Sequence, residues 1–309
     1  MTHILWTDVA PRDGLQNIAA TIPTEAKFNL VRGLLDAGVP RVEATAFVSP
    51  KWVPQLADSA DLLAALGDEP RGRIRVLIPN LRGLELALQN GVRNVLVTIG
   101  ATDSFNRRNV NRSVDESLAE LPRIVDAAQR GDCAVDVALS VSFGCPFEGR
   151  VAVDRVVELC ARIAETGVAE VGVADTIGVA TPRAVTEMCA AVSGVVPLQR
   201  VSLHVHDTRG LGVANVAAAY EAGVNRFDGS VGGVGGCPFA PRSTGNVCSE
   251  DALQALVSLG ASIDADIAAL CRVSEELEAV LGQPLPGKLY RAGVWTGEAA
   301  PETREVRVG

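Results

Sequence analysis

Val201-Ser202-Leu203-His204-Val205-His206-Asp207 reads as a strand that ends in polar chemistry. Alternate residues of a strand share a face, so His204 and His206 point into one space. They are two of only three histidines in the chain. A same-face imidazole pair is a natural start for a metal site; the plainer alternative is a pair held by carboxylates, with Asp207 as the obvious partner. Outward from this run the same pattern recurs. Short apolar runs stand at Ile4–Val9, Val42–Phe47, Ile74–Ile78, Val95–Ile99, Val135–Val141, Glu170–Ala174, Val201–Val205 and Arg226–Gly229. Stretches of helical period separate them: Thr24–Ala37, Ser59–Leu66, Leu81–Gln89, Val114–Ala128, Asp154–Glu165, Thr181–Val192, Leu211–Ala222 and Asp251–Leu259. Ala37-Gly38, Asn90-Gly91, Thr166-Gly167 and Ala222-Gly223 mark helix stops. Eight such units without a low-complexity linker predict a (β/α)8 TIM barrel. An open doubly wound sheet would show a glycine-rich phosphate turn after its first strand, which is missing here. An extra C-terminal helix after Ser262 completes a catalytic barrel over 1–285, and 286–309 reads as a polar, loose tail.

Composition narrows the partners. The chain has 309 residues, 48% of them hydrophobic, and a net charge of −9. That charge argues against nucleic acid or an anionic membrane surface. Seven cysteines are scattered with no C-x-x-C pair, as expected of reduced thiols in a cytoplasmic protein. No signal segment or membrane-length apolar run is visible.

In a barrel of this kind the site forms at the C-terminal ends of the strands, and polar residues recur there. Strand one runs into Ala10-Pro11-Arg12-Asp13-Gly14-Leu15-Gln16-Asn17. Strand two carries Glu43, strand six ends in Asp175-Thr176, and strand seven holds the histidines. After strand eight come Gly232-Gly233-Val234-Gly235-Gly236-Cys237-Pro238-Phe239 and then Asn246. Each has an ordinary alternative. Asp13-Gly14 is common turn chemistry, Asp175 suits a helix cap, and a single Cys237 is more often an inert buried thiol. Glu43, inside an apolar strand, requires a partner in any case. The glycine run lacks the Lys-Ser/Thr of a phosphate loop and reads as a lid. Convergence of five segments on one barrel end outweighs any single motif.

The motifs Pro11–Asn17, Val42-Glu43-Ala44-Thr45, Phe47–Gln55, Gly144-Cys145-Pro146-Phe147-Glu148-Gly149, Asp175-Thr176-Ile177-Gly178, His204–Thr208 and Gly235–Ala240 together resemble hydroxymethylglutaryl-CoA lyase, in order, from about residue 4 to 285. The wider group is the metal-dependent lyases and Claisen-type synthases on TIM barrels. The resemblance implies cleavage of 3-hydroxy-3-methylglutaryl-CoA to acetyl-CoA and acetoacetate. It implies a divalent cation, Mg²⁺ or Mn²⁺, on Asp13, His204, His206 and Asn246. Arg12 would stabilise the thioester oxyanion, and Asp13 or His204 would move the hydroxyl proton. Cys237 would serve the enolate, with Glu43 and Asp175 in support. Gln16, Ala138, Lys51 and Arg242 are the candidate substrate and CoA contacts, with Arg107, Arg108 and Arg150 as further cations on the same side. Leucine breakdown is implied as well; a homodimer is expected on the separate ground that soluble barrels commonly associate.

Departures from the family pattern bear on the acyl group. Ile18-Ala19 replaces an acidic-basic pair, Ala138 stands where many lyases have an aromatic, and Ala240–Gly245 differs from the usual lid. A related substrate such as citramalyl-CoA therefore stays open beside hydroxymethylglutaryl-CoA. So do a condensing synthase, which would normally append a further domain, and a non-catalytic barrel that has kept the motif.

Overall fold

The computed structural model describes residues 1–67, 71–236 and 245–295. Eight parallel strands close into a barrel in sequence order, with β8 paired back to β1. They are β1 (Leu5–Asp8), β2 (Arg41–Ala46), β3 (Ile74–Leu77), β4 (Asn94–Gly100), β5 (Ala134–Ser140), β6 (Glu170–Asp175), β7 (Val201–Val205) and β8 (Arg226–Gly229). Each coincides with one of the predicted runs to within a residue or two. The outer helices begin with Thr24–Asp36 and continue round to Ser249–Ser258, followed by the additional helix Ile267–Leu281. Valines, leucines and isoleucines on the outward faces of the strands pack on these helices as one continuous core, which is the burial that stabilises the fold.

The lumen is built differently. Aliphatic layers ordinarily fill a barrel of this type, yet here the strand starts carry charge. Arg41 lies 3.0 Å from both Asp136 and Glu170, and Arg226 lies 3.0 Å from Glu170. One step toward the site, Arg75 lies 2.7 Å from Glu43 and 3.0 Å from Asp228. With Arg12 on the other oxygen of Glu43, four arginines meet four carboxylates in the interior. A buried charge is tolerated only when paired in this way. Burial, and then the neighbouring Glu170, push Asp136 up to about 6. Above this network Ala46, Leu77 and Leu96 form a small apolar cluster with Leu56, and Ala138 packs against it.

Two features depart from the sequence reading. A helix at Asp103–Val110 follows β4; its polar surface has no apolar stripe to announce it. It is held instead by Asn106, which accepts from Gly100 N (2.8 Å) and donates to the carbonyls of Arg112 and Ser113. The tail expected to be loose from residue 286 is docked over its described part. Lys288 and Leu289 donate to Asp251, and a short helix at Leu289–Ala292 buries Tyr290 beside Leu285. Residues 296–309 lie outside the described residues. Among the described residues the six cysteines are free and buried, and no helix is long and apolar enough to cross a membrane.

Candidate metal centre and active site

β1 ends in a wide turn in which Val9 O accepts from both Asp13 N (2.8 Å) and Gly14 N (3.1 Å). Pro11 starts the turn without a backbone donor to satisfy, and the turn swings Arg12 and Asp13 over the barrel mouth. Arg12 is 8% exposed. Its Nε donates to Glu43 Oε1 and its Nη1 donates to Asp13 Oδ1 at 2.6 Å. Burial works against the Arg12 charge, but Glu43 and Asp13 outweigh it and hold the guanidinium above its ordinary pKa. Glu43 thus supports Arg12, and its second oxygen holds Arg75.

The histidines share one side, as strand alternation requires, with ring centroids 5.2 Å apart. Asp207 is not their partner. It faces away from them and caps the next helix, accepting from Gly212 N at 2.6 Å. Asp228, opposite His204 in the β7–β8 register, takes that place, its Oδ2 lying 3.6 Å from His204 Nδ1. Beyond the glycine run, residues 245–248 return alongside the ends of β7 and β8. Asn246 bridges His206, while Ser230 N donates to Val247 O. That return brings Asn246 to Asp13 across more than 230 residues of sequence. Asn246 Nδ2 donates to Asp13 Oδ2 (3.0 Å) and Val234 O (3.3 Å), which orients its Oδ1.

The donor atoms of Asp13, His204 and His206 all lie within 4.8 Å of one another. His206 Nδ1 and Asn246 Oδ1 are buried without a hydrogen-bond partner. Buried polar atoms are rarely left so, and two of them beside a carboxylate and a second imidazole fit a cation. Burial, reinforced by His204, pushes His206 down to about 4 and keeps its lone pair free. Burial would lower His204 as well, but the adjacent carboxylate of Asp228 and the charge of Asp13 raise it. Burial would raise Asp13, yet Arg12 and the histidines hold it below the usual carboxylate range. A carboxylate oxygen, an amide oxygen and two imidazoles suit Mg²⁺ or Mn²⁺ as well as zinc.

The remaining candidates are more dispersed. Asp175 is buried and holds the loop after β6, accepting from Val179 N and Ala180 N at 2.9 Å; burial raises its pKa while these donors and His204 oppose the rise. Gln16 is half-buried on the turn that carries Arg12. Ala138 lines the lumen above the charged layers. Lys51 is exposed, 5.7 Å over the ring of Trp52. Arg108 lies 4.0 Å over Phe147 and donates to Ser104 O, and Arg107 and Arg150 are exposed. Cys237 and Arg242 lie outside the described residues. Arg75 and Asp228 were absent from the sequence reading. Their signal was present: charges at lumen-facing positions, Arg75 alone in β3 and Asp228 two places after Arg226 in β8.

The fold and this cluster define a (β/α)8 enzyme with its polar machinery at the strand ends and a candidate cation site beside a buried arginine. The HMGL-like family model matches residues 3–277. The (R)-citramalyl-CoA lyase of Chloroflexus aurantiacus is 40% identical over 303 residues, 95% of this chain and 96% of that protein. The hydroxymethylglutaryl-CoA lyase of Bacillus subtilis is 38% identical over 91% of this chain and 94% of its own. An HMG-CoA lyase from Acinetobacter baumannii, solved with coenzyme A and 3-methylmalate, superposes with a TM-score of 0.91. It is 35% identical and covers 97% of this chain and 98% of its own. The chain belongs to the HMGL-like family of carbon–carbon lyases.

Proposed function

We propose that the protein is a divalent-cation-dependent acyl-CoA lyase that cleaves 3-hydroxy-3-methylglutaryl-CoA to acetyl-CoA and acetoacetate. The observation that carries this reading is the pair of unpartnered donors, His206 Nδ1 and Asn246 Oδ1, set beside Asp13, His204 and the buried Arg12. Asp13, His204, His206 and Asn246 hold the cation. When bound, Mg²⁺ or Mn²⁺ acts as a Lewis acid that makes the substrate's C3 hydroxyl more acidic. Asp13 or His204 accepts that proton. The C2–C3 bond then breaks, and its electron pair becomes the enolate of acetyl-CoA while C3 becomes the ketone of acetoacetate. Two of Arg12's nitrogens are fixed by Glu43 and Asp13, and the third faces the thioester oxygen as charge gathers there. Cys237 donates the proton that C2 takes up. Gln16 and Ala138 contact the acyl portion, and Lys51 and Arg242 contact CoA. Asp175 keeps the loop after β6 in place. Leucine breakdown completes the proposal on the family resemblance, a cytoplasmic location on the scattered thiols, and a homodimer on the common association of soluble barrels.

Citramalyl-CoA is the second reading, favoured by the end-to-end match to the (R)-citramalyl-CoA lyase and by Ala138 in the lumen wall. The two substrates differ by one methylene between the carbinol carbon and the carboxylate, a difference that a pocket discriminates by about 10–200-fold. Metal-stripped protein given each thioester with and without Mg²⁺ or Mn²⁺ tests both. A kcat/KM at least tenfold higher for hydroxymethylglutaryl-CoA supports the first reading, and the reverse ratio replaces it with the second. Cleavage of neither by protein that binds the cation rules out both.

A further inference from the structure

Arg75 is 1% exposed, at the centre of the lumen. Its guanidinium lies 2.7 Å from Glu43 Oε2 and 3.0 Å from Asp228 Oδ2. Each of those carboxylates reaches the site with its other contact. Glu43 Oε1 holds Arg12 Nε, and Asp228 Oδ2 faces His204 Nδ1 at 3.6 Å. Asp136 and Glu170 approach the far side of Arg75 at 3.9 and 3.8 Å, so the arginine is fixed from below. A planar fork can hold two carboxylates at set angles, which a point charge on a flexible stem cannot do.

We propose that Arg75 is a positioning residue for the lyase reaction: through Glu43 it sets Arg12, and through Asp228 it orients His204, so that one buried cation ties the oxyanion-stabilising arginine to a metal ligand. The proposal rests on the function read above. It assigns Arg75 more than the neutralisation of nearby carboxylates, because a neutralising charge needs no particular shape. Removing the partner of a metal-ligating histidine typically weakens metal affinity 10- to 100-fold, and removing the device that holds that partner acts in the same direction.

Arg75→Lys keeps the charge and discards the fork. Mn²⁺ affinity, read by electron paramagnetic resonance without substrate, and kcat and KM at saturating Mn²⁺ form the test. The expected result is Mn²⁺ binding at least about tenfold weaker and a tenfold or greater loss of kcat with KM within about threefold. Asp228→Asn supplies a second variant of nearly native shape. It reproduces the loss of Mn²⁺ affinity while kcat falls less than in Arg75→Lys, because the Glu43–Arg12 arm is intact. A lowered melting temperature with native Mn²⁺ affinity and native kcat in Arg75→Lys overturns the proposal and leaves Arg75 as ballast. If the wild type binds Mn²⁺ but cleaves no acyl-CoA, the functional reading fails. A tenfold drop in Mn²⁺ affinity in Arg75→Lys then still upholds the His204 arm.

Discussion

Arg12 and Asn246 carry the account at the scale of single side chains. Arg12 is gripped by Glu43 and Asp13, so it meets a developing oxyanion without reorganising. Arg12→Lys keeps the charge but loses the two-sided grip. We expect kcat to fall by about 10²–10³ with Mn²⁺ affinity nearly unchanged, which steady-state kinetics and calorimetric titration separate. Asn246→Ala removes one donor to the cation and releases Asp13. Its signature is the converse: Mn²⁺ affinity weakened about tenfold or more, measured by titration before any turnover assay. The histidine pair was legible because a strand repeats every two residues. Its partner was misread for the same reason. Asp207 lies three positions after His204 and one after His206, an odd number from both. It therefore turns to the other face and caps a helix, while Asp228, distant in sequence, lies across the β7–β8 register. Inter-strand register is the part of the site that a linear pattern does not display.

At the scale of elements, the β1 strand and its turn form a unit with its own proton chemistry. Asp8, the last residue of β1, is buried, accepts from Ala10 N (2.9 Å) and Ser249 Oγ (2.6 Å), and is pushed up to about 7 mainly by burial. An acid raised in the fold from its ordinary value near 3.8 contributes most stability below that value. The contribution is lost as pH rises through about 7. Asp8→Asn has no such proton to lose, so the melting temperature of the wild type relative to Asp8→Asn should decline between pH 5 and 8. A gap that stays constant over that range contradicts the assignment of a protonated Asp8. The helices flanking the barrel were readable from period and stops. The helix Asp103–Val110 was not, because Asn106 and its backbone partners hold it together rather than an apolar face.

For the whole molecule, the barrel is closed by aliphatic packing outside and by paired charge inside. The charges of β2, β3, β5, β6 and β8 stand in the sequence, but only closure of the barrel shows that they meet. The C-terminal segment adds a brace to the site's end. Leu285 and Tyr290 are buried, and Gly287 N donates to Gly232 O at 2.9 Å, so the segment lies against the base of the glycine run that leads to Cys237. A Cβ at Gly232 would stand 2.3 Å from Leu285 Cδ1, and its φ of +66° suits glycine. Tyr290→Ala should lower stability by about 2–4 kcal/mol by calorimetry while Mn²⁺ affinity stays native, since none of the cation's candidate ligands touches it.

The most direct test of the central claim is mass-spectrometric analysis of products from metal-free protein and hydroxymethylglutaryl-CoA, with Mn²⁺ added back in steps. The account predicts acetyl-CoA and acetoacetate in equal amounts, appearing only as the site on Asp13, His204, His206 and Asn246 fills. Product formation without the cation, or release of free CoA by thioester hydrolysis in place of acetyl-CoA, would contradict it.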